Sequence, residues 1–188
     1  MTFARYALFS LLLCAWSMPA LAGKKAGVTM PDTIKVADKT LVLNGMGLRE
    51  ATVFKVDVYV VGLYVEEKSQ NGAAIAASRK VKRMHLRFVR DVDRDDITEA
   101  WDNGFKKVAG KNLDNLKKRI ETLKKWTEGV DDGKSIMLTY VPDKGVTFAT
   151  NGKIKGTIEG DDFAEALFSI WLGDKSPYGG MRSGLLGK

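Results

Sequence analysis

The chain has 188 residues, 30 of them Lys or Arg against 23 Asp or Glu, for a formal net charge of +7. One cysteine, Cys14, and one histidine, His85, exclude a disulfide framework, a thiolate metal cluster and the multi-histidine metal sites. A basic balance favours anionic partners, but solvated surface accounts for such a charge as readily.

At the amino end, Arg5 precedes an apolar run from Tyr6 to Trp16, Pro19 interrupts it, and Ala20-Leu21-Ala22 follows. Charge, apolar core and an A-x-A triplet are the order of a secretory signal peptide, with cleavage expected after Ala22. The run falls short of the roughly 20 residues needed to cross hydrocarbon, so no transmembrane segment is expected once the signal is cut. A lipoprotein site needs a small residue before Cys14, where Leu13 stands. Cys14 leaves with the signal, and an exported product without cysteine points to a bacterial periplasm. An exported chain rarely meets nucleic acid. Its accessible anions are lipid headgroups, lipopolysaccharide phosphates and small carboxylates, so a weak contact with anionic lipid is the surface partner the charge suggests.

Residues 23–188 have the length of a single domain, and no composition break or internal repeat divides them. Residues 23–33 are small and polar and read as a flexible leader. "KTLVLNGMG" reads as a short strand, Leu41 and Leu43 on one side, ending in a glycine turn. A long strand follows over Val53 to Val65. Phe54, Val56, Val58 and Val60 form one face; Lys55, Asp57, Tyr59, Val61, Leu63 and Val65 form the other.

Ala73 to Ser78 reads as a short helix. "VKRMHLRFVRDV" alternates, with Met84, Leu86 and Phe88 inward and Arg83, His85 and Arg87 outward. Ile97, Trp101, Phe105 and Val108 recur at helical spacing, acids at the start and Lys106-Lys107 near the end, which suits the helix dipole. A second helix carries Leu113, Leu116, Ile120 and Leu123. Three strands follow, "SIMLTYV", "GVTFATN" and "KIKGTIEG", joined by turns at Asp143-Lys144-Gly145 and Asn151-Gly152. Asp161 then caps a helix bearing Phe163, Leu167, Ile170 and Trp171, stopped by Gly173, and the tail to Lys188 reads as loop. This order gives an α+β class, with helices on one face of a mainly antiparallel sheet and room for a cleft between the layers.

"GMGLRE" with "FKVDVYVVGLYVEE" resembles the chalcone isomerase pattern, in which a glycine-rich turn and an arginine precede a strand ending in Gly-x-Tyr, here Gly62-Leu63-Tyr64. "VRDVDRDDITEAWDNGFKKV" is similar to that family's strand-to-helix stretch with a helical asparagine, matched by Asn103. "FAEALFSIWLGDKSPYGGMRSGLLG" looks like the last helix and tail of exported bacterial chalcone isomerase-like proteins. The resemblance runs from about Leu41 to Gly187. It implies an open-faced β-sandwich: a large antiparallel sheet, helices over one side, and a ligand cleft between.

Site residues carry over one at a time under that resemblance. The catalytic arginine of the isomerases falls on Arg49 and the helical asparagine on Asn103. The strand threonine falls on Tyr59, and the tyrosine that orients the reacting ketone falls near Asp96, so both of those are changed. The fatty-acid-binding relatives keep the arginine and place a tyrosine at the strand position, which Arg49 with Tyr59 matches. Ligand binding is therefore expected of Arg49, Tyr59 and Asn103, and catalysis of Arg49 and Asn103 if the protein is an isomerase.

The residues themselves leave alternatives open. Arg49 offers a planar fork for a carboxylate at the edge of an apolar slot, or pairs with Glu50 at the surface. Lys55 and Asp57 line the cleft beside Tyr59, or form a solvated strand start. His85, flanked by Arg83 and Arg87, suits an exposed strand position better than a general base. Asp91, Asp93, Asp95 and Asp102 mimic a calcium loop, but Asp96 stands where glycine is needed, so helix capping accounts for them. Met181, Leu185 and Leu186 either close the cleft or pack the last helix down. No nucleophile elbow, phosphate loop or dinucleotide fingerprint is present, and no cofactor is expected.

Three functions follow. The first is a periplasmic, non-catalytic protein holding a fatty acid or similar amphipathic carboxylate. The second is an isomerase, an intramolecular lyase on a chalcone-like enone, using Arg49 against a developing oxyanion, with Asn103 and the tail near Ser176 shaping its pocket. The third is an envelope interaction protein, whose cue would be an apolar patch left on the last helix.

Overall fold

The computed structural model describes residues 22–51, 56–176 and 178–188. Residues 1–21, with the signal-peptide pattern and Cys14, lie outside the described residues, as do Val53, Phe54 and Lys55. Two short strands, β1 (Ala22–Lys25) and β2 (Val28–Pro31), pair as a hairpin. Seven more form one antiparallel meander in chain order: β3 (Thr33–Val36), β4 (Lys39–Ala51), β5 (Val56–Val65), β6 (Lys82–Phe88), β7 (Ser135–Val141), β8 (Gly145–Thr150) and β9 (Lys153–Ile158). The helices are α1 (Gly72–Ala77), α2 (Arg94–Val108), α3 (Leu113–Trp126), α4 (Asp161–Leu172) and α5 (Gly179–Leu185). The β8–β9 turn has φ of 50° at Asn151 and 78° at Gly152, the left-handed pair a tight hairpin needs.

Strand alternation sends Val61, Leu63, Met84, Leu86, Ile136 and Leu138 to one face of the sheet. There they meet the apolar stripes of α2, α3 and α4 in the main core, where Phe105, Leu116, Phe163 and Leu167 are fully buried. Each such side chain contributes about 1.5–3 kcal/mol by leaving water. On α4 the capping position belongs to Gly160; Asp161 instead accepts a 2.6 Å hydrogen bond from the Tyr140 hydroxyl.

The opposite face corrects the expected flexible leader. Residues 23–33 form the β1–β2 hairpin and enter β3, and Met30 is buried with Val36, Leu41, Leu43, Val60 and Tyr64. The Tyr64 hydroxyl donates to the Pro31 carbonyl at 3.0 Å. Val28 and Met30 are two apart in a run otherwise polar and small, enough for one edge to dock on a waiting apolar face.

Gly45 and Gly47 make no turn: β4 runs through both. A bulge at Asn44 pairs Leu43 with Tyr64 and Gly45 with Leu63, so one extra residue lets β4 switch the face its apolar side chains serve. Asn44 is buried and clamps two segments, donating to Leu185 O at 2.7 Å and Ser69 O at 3.0 Å and accepting from Ser69 N at 2.7 Å. The tail is likewise helix rather than loop, because α5 lies directly on these glycines. A Cβ at Gly45 would overlap the Gly184 carbonyl oxygen and lie 2.8 Å from that of Leu185. Met181, Leu185 and Leu186 are buried there, so they pack the carboxyl end onto the sheet. Gly45→Val is expected to destabilise the protein by about 1–3 kcal/mol and to open the chain to trypsin at Arg182. Urea denaturation and limited proteolysis check this; unchanged stability with a protected Arg182 would contradict it.

Candidate functional site

At one end of the sheet the two layers part and leave a cleft of about 370 Å³. That is at the lower end of the roughly 300–1,000 Å³ of small-molecule pockets. Its wall starts from strand register. Arg49 of β4 lies directly opposite Tyr59 of β5, and Tyr59 directly opposite Phe88 of β6, so the three stand in one row on the helix-facing side. Leu86 and Ile136 continue the apolar floor; Ile97, Ala100 and Trp101 of α2 and Ile170 and Trp171 of α4 form the roof. Arg90, Asp91, Asp96 and Tyr178 join Arg49 around the opening.

The aromatic lining is fixed by its own bonds. Trp101 and Trp171 meet edge to face at 5.8 Å, and Tyr59 tilts against Phe88 at 5.4 Å. Trp101 Nε1 donates to Thr127 Oγ1 at 3.1 Å, a bond directed away from the cleft. Trp171 Nε1 donates to the Tyr59 hydroxyl, also at 3.1 Å. The Tyr59 oxygen is thus an acceptor toward Trp171, and its own O–H has no acceptor among the described residues. Burial, reinforced by Tyr178, pushes the Tyr59 phenol well above its ordinary value, against the smaller opposing effects of the Trp171 bond and the Arg49 charge. Tyr59 therefore stays a neutral donor at any physiological pH.

Arg49 is partly buried, its guanidinium 4.9 Å from the centre of the Tyr178 ring and in contact with the Glu50 carbonyl oxygen. Among the described residues it forms no ion pair, and Glu50 meets it through the backbone rather than the carboxylate. Tyr178 is held in turn by Ser176, whose Oγ donates to Ile170 O at 2.8 Å and accepts from Tyr178 N at 3.2 Å. A cation and a neutral donor at the mouth of an aromatic slot can hold an anionic head while a greasy remainder lies inside.

The family model of chalcone isomerase-like proteins matches residues 22–187. The chain belongs to the chalcone isomerase-like family. Its seven-stranded sheet with covering helices is the chalcone isomerase-like fold, and it superposes on the crystal structure of a fatty-acid-binding protein from Arabidopsis thaliana. The TM-score is 0.70 over 89% of this chain and 95% of the other, at 17% identity. At that identity the likeness is one of fold. No curated protein matches the sequence.

Within this chalcone isomerase-like frame the expected site residues separate. Arg49 and Tyr59 come together on the cleft wall. Asn103 does not join them, and here the expectation is corrected. It is exposed on α2, with Nδ2 donating to Glu99 Oε1 at 3.4 Å, because Ile97, Trp101, Gly104 and Phe105 take the inward stripe and Asn103 falls on the far side. Asp57 also leaves the cleft. The bulge that pairs Arg49 with Tyr59 but Glu50 with Asp57 makes Val58 the extra residue, and Val58, not Asp57, lines the opening. Lys55 lies outside the described residues.

The acids around α2 serve its start: Asp93 sits at the capping position and Asp95 and Asp96 in the first turn, while Asp91 accepts from Asp132 N at 2.7 Å. His85 is half-buried on the other face of the sheet rather than exposed. The residues missed from sequence are Tyr178, Arg90 and the two tryptophans. Trp101 and Trp171 read simply as core, and nothing about Tyr178 distinguishes it before the tail folds back.

Proposed function

We propose that the protein binds a fatty acid or a closely similar amphipathic carboxylate in this cleft, without chemistry of its own. The observation that carries the reading is the register pairing of Arg49 with Tyr59 at the mouth of an aromatic slot. The guanidinium supplies a charged fork, the phenol a second donor, and Phe88, Trp101, Ile170 and Trp171 a dry lining for the tail. The fold likeness to a plant fatty-acid-binding protein supports it. Ring closure by an isomerase is less well served, since Asn103 lies outside the cleft and Asp96 stands near the orienting tyrosine's place. The signal pattern at residues 1–22 supports a periplasmic setting; a mature protein beginning at Gly23, recovered from a periplasmic extract, is the expected outcome.

Trp101 and Trp171 report on the cleft directly, so titration with palmitate should change tryptophan emission saturably. Emission unchanged to high micromolar palmitate, with a hydrocarbon alcohol equally inert, would contradict the reading. Tyr59→Phe keeps the ring and removes one donor to a charged group, so a loss of about tenfold in palmitate affinity is expected. Equal affinities of the two proteins would remove Tyr59 from the site.

A further inference from the structure

The face of the sheet away from the cleft holds a second cavity. The β1–β2 hairpin overhangs β6 and leaves a groove of about 720 Å³, open to solvent and walled by Val28 and the hairpin tip on one side and Gly133 on the other. Its floor is His85 and Arg87. With Arg83 these form a column at alternate positions of β6, about 7 Å apart along one face.

Two guanidiniums flanking an imidazole in one row are costly unless something of opposite sign lies near. Among the described residues none of the three is in an ion pair. Arg83 Nε donates to Thr139 Oγ1 at 2.7 Å, a neutral partner. On the flanking strands, β5 presents Val60, Gly62 and Tyr64 opposite the column, and β7 presents Ser135, Met137 and Thr139. Tyr64 is kept neutral, its phenol pushed up to about 12 first by burial and then by the Asp32 carboxylate, while Arg83 opposes. Asp32 is in no ion pair with the column among the described residues. The one carboxylate on the groove's wall is that of Asp132, which is not within ion-pair distance of Arg87 or His85. Burial first, and then the charges of Arg83 and Arg87, push the His85 imidazole below the usual histidine range.

We propose that this groove is a binding site, separate from the cleft, for an oxyanion of the phosphate class, held by the Arg87 guanidinium and the His85 imidazole. Arg87 supplies the planar fork that phosphate oxygens accept, and a protonated His85 adds a second charged donor behind it. A free phosphate and a phospholipid headgroup share this chemistry. The site lies on the opposite face of β6 from the cleft and does not depend on what the cleft holds.

His85 is the only histidine, so its imidazole gives a single signal in the untagged protein. Its titration is followed by ¹H–¹⁵N NMR in chloride, in inorganic phosphate at matched ionic strength, and with monomeric short-chain phosphatidic acid. Bound phosphate beside the ring is expected to move the titration midpoint upward by about one pH unit. A shift with both phosphate and the lipid assigns recognition to the phosphate group itself. A shift with the lipid alone assigns the site to headgroups. Arg87→Gln, an exposed position, should abolish either shift while His85 still titrates. A midpoint the same in all three media, or one that moves as far in Arg87→Gln, would overturn the proposal.

Discussion

Replacing Arg49 by glutamine is expected to weaken palmitate binding roughly 30- to 150-fold, about 2–3 kcal/mol, and to leave thermal stability nearly unchanged. The size follows from the bonds removed. A carboxylate on a guanidinium takes two charge-assisted hydrogen bonds in one plane, and glutamine returns one neutral donor. Stability is spared because Arg49 is partly exposed, forms no ion pair among the described residues, and lends the fold little beyond its 4.9 Å stacking on Tyr178. An exposed cation–π contact is worth about 0.5–1 kcal/mol. Arg49→Lys is the informative companion: it keeps the charge but not the fork, so its affinity should fall between the two. Calorimetric titration of the three proteins checks the order. A glutamine variant that binds as tightly as the parent would show that the anion sits elsewhere.

The largest effect on stability is expected from Lys82, which is 1% exposed in the core. Its ammonium donates to the carbonyls of Ile75, Ala76 and Ser78 at 2.9, 2.8 and 2.6 Å. These carbonyls sit at the carboxyl end of α1 and its capping residue; that of Ile75 also accepts from Ser78 N at 3.3 Å and Ser78 Oγ at 2.9 Å. The rings of Tyr140 and Phe168 close over the charge at 4.6 and 5.3 Å. Lys82→Ala empties the volume of the stem and removes the ammonium donor from the Ala76 and Ser78 carbonyls, a loss of about 3–5 kcal/mol. Lys82→Met refills the volume but not the bonds, so about 2 kcal/mol is expected. Urea denaturation measures both, and an alanine variant as stable as the parent would contradict the assignment.

Lys82 also sets a pH signature. Burial pushes its pKa down from 10.5 to about 8, with Glu165 and Asp161 opposing. Between about pH 8 and 10.5 the unfolded chain therefore carries the extra proton, and this lysine makes stability rise with pH across that window. Below about pH 8 it contributes no slope. Lys82→Met should lose that rise, so the stability difference between parent and variant is expected to widen from pH 7.5 to 9.5.

The sequence made the helices and most strands legible because one periodicity ran through each. Ile97, Trp101 and Phe105 announce α2, Met84, Leu86 and Phe88 announce β6, and Asn151-Gly152 announces the β8–β9 turn. What stayed hidden depends on contacts far apart in the chain. The extra residues at Asn44 and Val58 change which face each neighbour serves, and no local pattern marks a bulge; this is why the alternation alone leaves Asp57 open between cleft wall and solvated strand start. The α5 segment carries three glycines and little helix propensity, and it forms because Gly45 and Gly47 let it lie on β4. Arg49 and Tyr59 were readable as a pair through the family resemblance. Trp171 in the roof and Tyr178 at the mouth meet the Arg49–Tyr59 pair only when α4 packs on the sheet and the tail returns.

The most direct measurement is a crystal structure of the protein soaked with a fatty acid brominated at its tail, with the anomalous signal of bromine locating the chain. Bromine is expected among Trp101, Ile136 and Ile170, with the carboxylate at hydrogen-bonding distance, about 3 Å, from the Arg49 guanidinium and the Tyr59 hydroxyl. Bromine confined to the outer surface, with the cleft filled by water alone, would contradict that placement.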